Sequence, residues 1–124
     1  MKSKMKQILA ATVISCLSTI SASAAEVIWT RTVTVNKIVD MPKAVGLAMQ
    51  FRAAGLKYGV DLKISMPVSG NATQIRFTRT GTDITSMRVS GAPFSQSDEW
   101  KALMMATEGL VSAPVDEWWQ QPHD

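Results

Sequence analysis

The sequence has very few of the side chains that carry nucleophilic or acid–base chemistry. It contains one cysteine, Cys16, and one histidine, His123. A serine–histidine or cysteine–histidine site needs a histidine that the fold holds in one orientation, and His123 lies next to the C-terminus. The motifs G-x-S-x-G and G-x-x-x-x-G-K are also absent. We therefore predict that the protein is not an enzyme and has no cofactor.

The N-terminus has the layout of a secretory signal peptide. Three lysines within residues 2–6 precede an uncharged, mostly apolar run at 8–20, and Ala22 and Ala24 form the small-residue cleavage motif. The apolar run is too short for an ordinary membrane span. The sequence predicts cleavage after Ala24, with Ala25 as the alternative. It also predicts a periplasmic or secreted protein with no stable membrane span.

Residues 13–16 suggest a second route of export. The sequence V-I-S-C is similar to a lipobox, in which the cysteine becomes the lipidated first residue of the mature protein. This alternative gives a short apolar run and leaves the alanine-rich cleavage motif unused. A lipoprotein anchored through Cys16 is therefore the alternative prediction. If cleavage follows Ala24 instead, no cysteine remains, and core packing alone must stabilise the exported domain.

The charge balance changes when the predicted signal peptide is removed. The chain has 13 basic and 10 acidic residues, and three of the basic residues but no acids lie within 1–24. The remaining chain is neutral, so the basic pI does not indicate nucleic-acid binding. Basic residues dominate from Arg31 to Arg88, and acids dominate from Asp98 onward. We expect these two regions to attract each other or to meet partners of opposite charge.

The first half of the mature chain predicts strand, helix and strand. Residues 26–36 alternate valine and tryptophan with threonine, which is typical of a strand. Asp40 is predicted to cap a helix with Pro42 in its first turn and Gly55 at its end. Residues 60–68 are apolar at every second position, which predicts a half-buried strand parallel to the first.

The second half predicts two more strands, a helix and a tail. Residues 74–78 and 85–89 are predicted strands that flank a turn at 80–83. Ser95 is predicted to cap the second helix, whose apolar positions from Trp100 onward follow helical spacing. In the tail, a short helical turn can begin at Pro114.

These elements define the predicted fold class. We predict an α+β protein of order β-α-β-β-β-α, with one mixed four-stranded sheet and two helices packed on one face. The predicted division is a signal peptide at 1–24, a single domain at 25–112 and an acidic, tryptophan-containing tail at 113–124.

The candidate binding residues are basic side chains of the strand region and two adjacent tryptophans of the tail. Exposed tryptophan and arginine side chains are frequent anchors of protein interfaces. Adjacent tryptophans cannot both face one core, so we expect one to be partly exposed. The candidates for protein binding are Lys63, Arg76, Arg79, Arg88, Trp118 and Trp119.

The methionines permit a different binding function. Thioethers are ligands for copper(I), and six methionines remain after the predicted cleavage. Met49, Met66 and Met104 are predicted on core faces, where methionine fills gaps in the packing. We identify no metal ligand set in the sequence.

Taken together, the sequence predicts a small, exported, non-catalytic protein of the bacterial envelope that binds another envelope or secreted protein. It would be an accessory of an envelope or secretion system, or an inhibitor or immunity-type protein. The alternative is a periplasmic carrier of a ligand, or of copper held by methionine side chains. We expect no nucleic acid among its partners.

Overall fold

A computed structural model describes residues 26–122, and the predicted signal peptide, Cys16 and His123 lie outside this range. The α+β class and the single four-stranded sheet are confirmed, with three helices where two were predicted. Within 26–122, no helix combines the length and the apolar character needed to cross a bilayer. In chain order the elements are β1 (Glu26–Thr34), a 3-10 turn (Ile38–Asp40), α1 (Met41–Lys57), β2 (Lys63–Ser65), β3 (Gln74–Gly81), α2 (Ile84–Ser95), α3 (Asp98–Ala106) and β4 (Val115–Gln121).

The sheet is antiparallel throughout and has the order β2-β3-β1-β4. The predicted mixed sheet was therefore wrong, because every pair of neighbouring strands is antiparallel. β1 and β2 do run in the same direction, as a strand–helix–strand crossover requires, but β3 lies between them and pairs with both. The expected parallel pairing of β1 with β2 is therefore absent, and each of these strands pairs with β3 instead.

The core is built around four aromatic rings, one from β3 and one from each helix. Phe51 of α1 meets Phe77 of β3 edge to face at 6.0 Å between ring centroids. Trp100 of α3 lies 5.2 Å from Phe51 and 5.1 Å from Phe94 of α2, again edge to face. Aromatic pairs prefer this geometry, because the positive ring edge meets the negative face. We call Phe51, Phe77, Phe94 and Trp100 the aromatic cluster.

The strand predicted at 60–68 is much shorter than its alternating pattern suggested. Its start is confirmed as core, because Val60 and Leu62 are buried, but strand pairing covers only Lys63–Ser65. Met66 and Val68 are exposed. Pro67 lies between them and has no N–H to donate to a neighbouring strand, so pairing stops before it.

The strand predicted at 85–89 is wrong, because these residues belong to α2. Asp83 caps this helix: its Oδ1 accepts from the Ser86 backbone N–H at 2.8 Å, and its Oδ2 accepts from the Ser86 hydroxyl at 2.6 Å. Hydrogen bonds from Ser86 hold the pKa of Asp83 below its ordinary value. Met87 and Phe94, two helical turns apart, are buried on the side facing the sheet.

The next two helix boundaries also differ from prediction. α2 continues to Ser95, so the cap of α3 is Ser97, whose hydroxyl accepts from the Trp100 N–H at 3.1 Å. α1 begins directly after the 3-10 turn, and the Asp40 side chain accepts no capping bond. Gly55 does not end α1; it is buried inside the helix.

The C-terminal segment is a strand, not a tail or a helical turn. β4 pairs with β1 along its whole length, and Trp118 lies opposite Trp29 while Trp119 lies opposite Ile28. Because successive side chains of a strand point to opposite faces, the two adjacent tryptophans lie on opposite sides of the sheet. The acidic segment therefore extends the sheet at its edge and does not cover it.

The helices cover one face of the sheet and leave the other uncovered among residues 26–122. We call this second surface the open sheet face; it carries the alternate side chains of every strand. Trp119 and Val115 of β4 are 57% and 60% exposed there. Arg76 and Lys63 lie on the same face toward the opposite edge.

Two glycines of α1 give a matched test of the packing. A Cβ at Gly55 would lie 2.9 Å from the Val60 carbonyl oxygen and 3.3 Å from Phe94, whereas a Cβ at Gly46 meets nothing within 4 Å. We expect Gly55→Ala to lower the free energy of unfolding by about 1–3 kcal/mol through overpacking. Gly46→Ala is expected to raise it by roughly 0.5–1 kcal/mol, because alanine favours the helix.

Urea denaturation monitored by circular dichroism measures both changes. If the two variants shift the stability in the same direction, the close packing of α1 against Val60 is not present in solution.

Candidate functional site

A cavity of about 470 Å³ lies between the helices and the covered face of the sheet. This volume is within the range of roughly 300–1,000 Å³ that is typical of small-molecule sites. The inner part is apolar and includes Val33, Leu47 and Phe77, and the aromatic cluster forms much of its wall. The charged side chains that line it are three arginines and one aspartate: Arg31, Arg79, Arg88 and Asp116.

Two arginines and two tryptophans form a row along one side of the cavity. The rings of Trp29 and Trp118, which face each other across the β1–β4 pair, are 6.5 Å apart between centroids. The guanidinium carbon of Arg31 lies 5.5 Å from the Trp29 ring, and that of Arg88 lies 5.5 Å from the Trp118 ring. Both distances are within the range of cation–π contacts. We call these four residues the arginine–tryptophan row.

Arg31 at one end of the row is paired with a carboxylate. Its Nε donates to Asp116 Oδ1 at 2.7 Å, and its Nη2 donates to Oδ2 at 2.8 Å, so the contact is bidentate. The hydrogen bonds and charge of Arg31 hold the pKa of Asp116 below its ordinary value, against the opposing effect of partial burial. The pair connects the central strand β1 to the edge strand β4.

Arg79 holds α2 against the sheet. From β3, its Nη1 donates to the Met87 carbonyl oxygen at 2.7 Å and its Nη2 donates to the Ser90 hydroxyl at 2.8 Å. A Cβ at Gly91 would lie 3.1 Å from Arg79 Nη1, so this helix position favours a glycine. The contact fixes the distance between α2 and β3, which sets the width of the cavity at this point.

The sequence-predicted binding residues do not form one surface. Arg79, Arg88 and Trp118 line the cavity, whereas Lys63, Arg76 and Trp119 lie on the open sheet face. Lys63 also pairs with Asp61 at 3.1 Å. The structure thus separates one predicted basic surface into a cavity wall and an open face. Protein binding by these residues stays a prediction.

Sequence reasoning missed the cavity and half of the arginine–tryptophan row. Arg31 occupies an apolar position of β1 between Trp29 and Val33. An arginine in such a position needs a buried or half-buried acid, and that requirement is the signal that could have pointed to Asp116. The β4 pattern itself, with Asp116 and Trp118 two residues apart, places both on one face.

The methionine predictions were wrong for Met49 and Met66, which are exposed. Met104 is 38% exposed, but it lines the cavity from α3, and Met87 is the buried methionine within residues 26–122. Within residues 26–122, no group of three or more histidine, cysteine or carboxylate side chains is placed to hold a metal ion.

Comparisons with known proteins identify the fold. No protein-family model matches the sequence, and no curated protein matches it significantly. The fold is similar to a NIPSNAP family protein from Agrobacterium tumefaciens, with a TM-score of 0.68, 12% identity, 80% of this chain and 94% of that chain covered. It is also similar to an uncharacterized NIPSNAP domain protein from Burkholderia xenovorans, with a TM-score of 0.65, 12% identity, and 75% and 91% of the two chains covered.

A third similar structure carries a suggested activity. A Bacteroides thetaiotaomicron protein of unknown function, described as a possible oxidoreductase, has a TM-score of 0.61 and 14% identity over 78% of this chain and 98% of that one. At these identities the likeness shows the NIPSNAP-like fold and nothing about activity.

The lowered pKa of Asp116 makes a testable contribution to stability. Because this pKa is lower in the folded than in the unfolded state, the stabilisation is present above the unfolded pKa, near 3.8, and is lost as the pH falls through the folded pKa. We expect Asp116→Asn to lower the free energy of unfolding at neutral pH by less than about 1 kcal/mol, because the pair is partly exposed. The difference from wild type should disappear in acid.

Urea denaturation at several pH values, followed by tryptophan fluorescence, measures this difference. Glu117→Gln is the matched control, since Glu117 is on the same strand and no ion pair within 26–122 involves it. A difference between Asp116→Asn and wild type that persists unchanged below the folded pKa would contradict the assignment.

Proposed function

We propose that this protein is an exported, non-catalytic carrier in the bacterial envelope that binds a small, mainly apolar molecule between its sheet and its helices. The observation that carries the proposal is the cavity of about 470 Å³ with its wall of aromatic and aliphatic side chains. Small-molecule sites typically combine such an apolar wall with a few polar groups. The localisation rests on the predicted signal peptide.

The polar groups of the cavity support binding over catalysis. Asp116 accepts two hydrogen bonds from Arg31, and the bonds of Arg79 to α2 support the wall. No histidine or cysteine is among the described residues that line the cavity. A general base needs a group that is free to accept a proton from the ligand, and Asp116 is engaged with its pKa lowered. We therefore propose a carrier.

A series of straight-chain alcohols tests binding to the cavity. We expect the affinity to rise about fourfold for each methylene added from butanol upward, since each buried methylene contributes about 0.8 kcal/mol. The rise should stop when the chain fills the cavity. Isothermal titration calorimetry measures the affinities, using protein purified from cells that express the full-length chain.

Two alanine substitutions locate the binding. Ala92 lines the cavity from α2, whereas Ala102 of α3 is exposed and does not. Ala92→Phe should reduce decanol affinity at least tenfold by occupying the space, and Ala102→Phe should leave it unchanged. Circular dichroism of both variants checks the fold. Equal affinities in both variants, or an affinity that rises with chain length without limit, would refute binding in the cavity.

We also propose, as a second candidate, that the open sheet face binds another envelope or secreted protein. The supporting observation is that Trp119 is 57% exposed opposite Ile28, on a sheet face with no described helix over it. A large exposed aromatic side chain with an apolar neighbour is typical of an interface anchor.

The position of the two adjacent tryptophans provides the test of this second function. The wild-type protein should capture an envelope partner from the producing bacterium. We expect Trp119→Ala to reduce the captured amount at least tenfold, since such anchors typically contribute about 2 kcal/mol or more. Trp118→Ala, on the other side of the sheet, should leave capture unchanged. Quantitative mass spectrometry measures the captured partner, and capture that survives Trp119→Ala removes the open face from the interaction.

A further inference from the structure

The charged side chains that line the cavity carry a net positive charge. Three arginines and one aspartate line it, and the aspartate is already paired with Arg31 through two short hydrogen bonds. The bidentate pair is neutral as a unit. Arg79 and Arg88 therefore leave the cavity with an excess of positive charge.

The bonds of Arg79 do not remove this excess. Its two partners are the Met87 carbonyl oxygen and the Ser90 hydroxyl, which are both uncharged. These bonds satisfy two N–H groups and hold the guanidinium in place. The positive charge itself has no acid partner among residues 26–122.

Arg88 combines an uncompensated charge with an accessible position beside an aromatic ring. It is exposed where α2 borders the cavity, and its guanidinium carbon lies 5.5 Å from the Trp118 ring. Among the described residues, no carboxylate pairs with it and no side-chain hydrogen bond involves it. A guanidinium held against an aromatic ring still presents the N–H groups at its edge, which match a planar carboxylate in two parallel bonds.

We propose that the ligand of the cavity is an amphiphilic carboxylic acid, whose carboxylate binds Arg88 and whose apolar body fills the space beneath. The inference rests on the proposed carrier function and adds the chemical class of the ligand. The carboxylate compensates the positive charge that Arg88 and Arg79 bring to the cavity. The Trp118 ring contacts the first carbons of the chain, and the aromatic cluster contacts its far end.

Three probes with the same chain and different head groups test the proposal. Decanoate, decanol and decyltrimethylammonium are titrated calorimetrically into wild-type protein, at a pH where decanoate is ionised. We expect decanoate to bind at least tenfold more tightly than decanol, and the cation to bind most weakly. A charge-assisted bidentate hydrogen bond is strong enough for this discrimination.

Three arginine variants assign the effect to one side chain. Arg88→Gln should weaken decanoate binding about tenfold or more and weaken decanol binding much less, because the uncharged hydroxyl loses no ion pair. Arg88→Lys keeps the charge without the planar guanidinium and should give an intermediate affinity for decanoate. Arg76→Gln, which removes the same charge from the open sheet face, should change neither affinity.

Each contrary result has a distinct meaning. Equal affinities for decanoate and decanol would overturn the proposed ligand class and leave the carrier function standing. If Arg88→Gln and Arg76→Gln weaken decanoate binding equally, the proposed ligand class is also overturned, because the net charge of the protein would then explain the preference for decanoate over decanol. Failure of all three probes to bind would refute the carrier function itself.

Discussion

The aromatic cluster, which joins the three helices to one another and to one phenylalanine of the sheet, determines the architecture. Phe77 of β3 meets Phe51 of α1, and Trp100 of α3 connects Phe51 to Phe94 of α2. Each helix thus contributes one ring to a single group centred over β3. Adjacent strands are about 4.8 Å apart, so β4, two strands away, lies roughly 10 Å from this anchor. The helices are fixed over one part of the sheet, and the space between them and the other part is the cavity.

The position of β4 follows from a charge in the middle of the sheet. Arg31 is on the central strand and points to the same side as the core, where an unpaired charge would be costly. β4 supplies Asp116 directly opposite, and the pairing of the two strands brings Trp118 opposite Trp29. One acid of the C-terminal segment therefore completes the covered face, while its neighbour Glu117 lies on the open one. The expected attraction between a basic body and an acidic end is present in this pair and in the exposed pair of Lys57 with Glu99, at 3.0 Å.

The sequence allowed prediction of the class, the first strand and the first helix, because the two elements have long periodic patterns. The number of strands is right only because the false strand at 85–89 offsets the missed β4. It did not separate helix from strand at 85–89, where only three apolar or β-branched positions alternate. The cap at Asp83 and the burial of Phe94 stabilise a helix at these residues. β4 was missed for a different reason. Its adjacent tryptophans obscure the alternation, and its partner Arg31 is 85 residues away in the sequence.

The error at 85–89 is also the reason that the candidate site could not be predicted. On a strand, Arg88 would share the open sheet face with Arg76 and add to a solvated basic surface. On α2 it lies beside Trp118 instead, at an apolar cavity. On the open sheet face the charge of Arg88 would meet solvent. At the cavity it lies above an apolar surface, and this combination favours a ligand that is part apolar and part anionic. The type of secondary structure at five residues thus decides whether the arginine indicates a surface or a ligand.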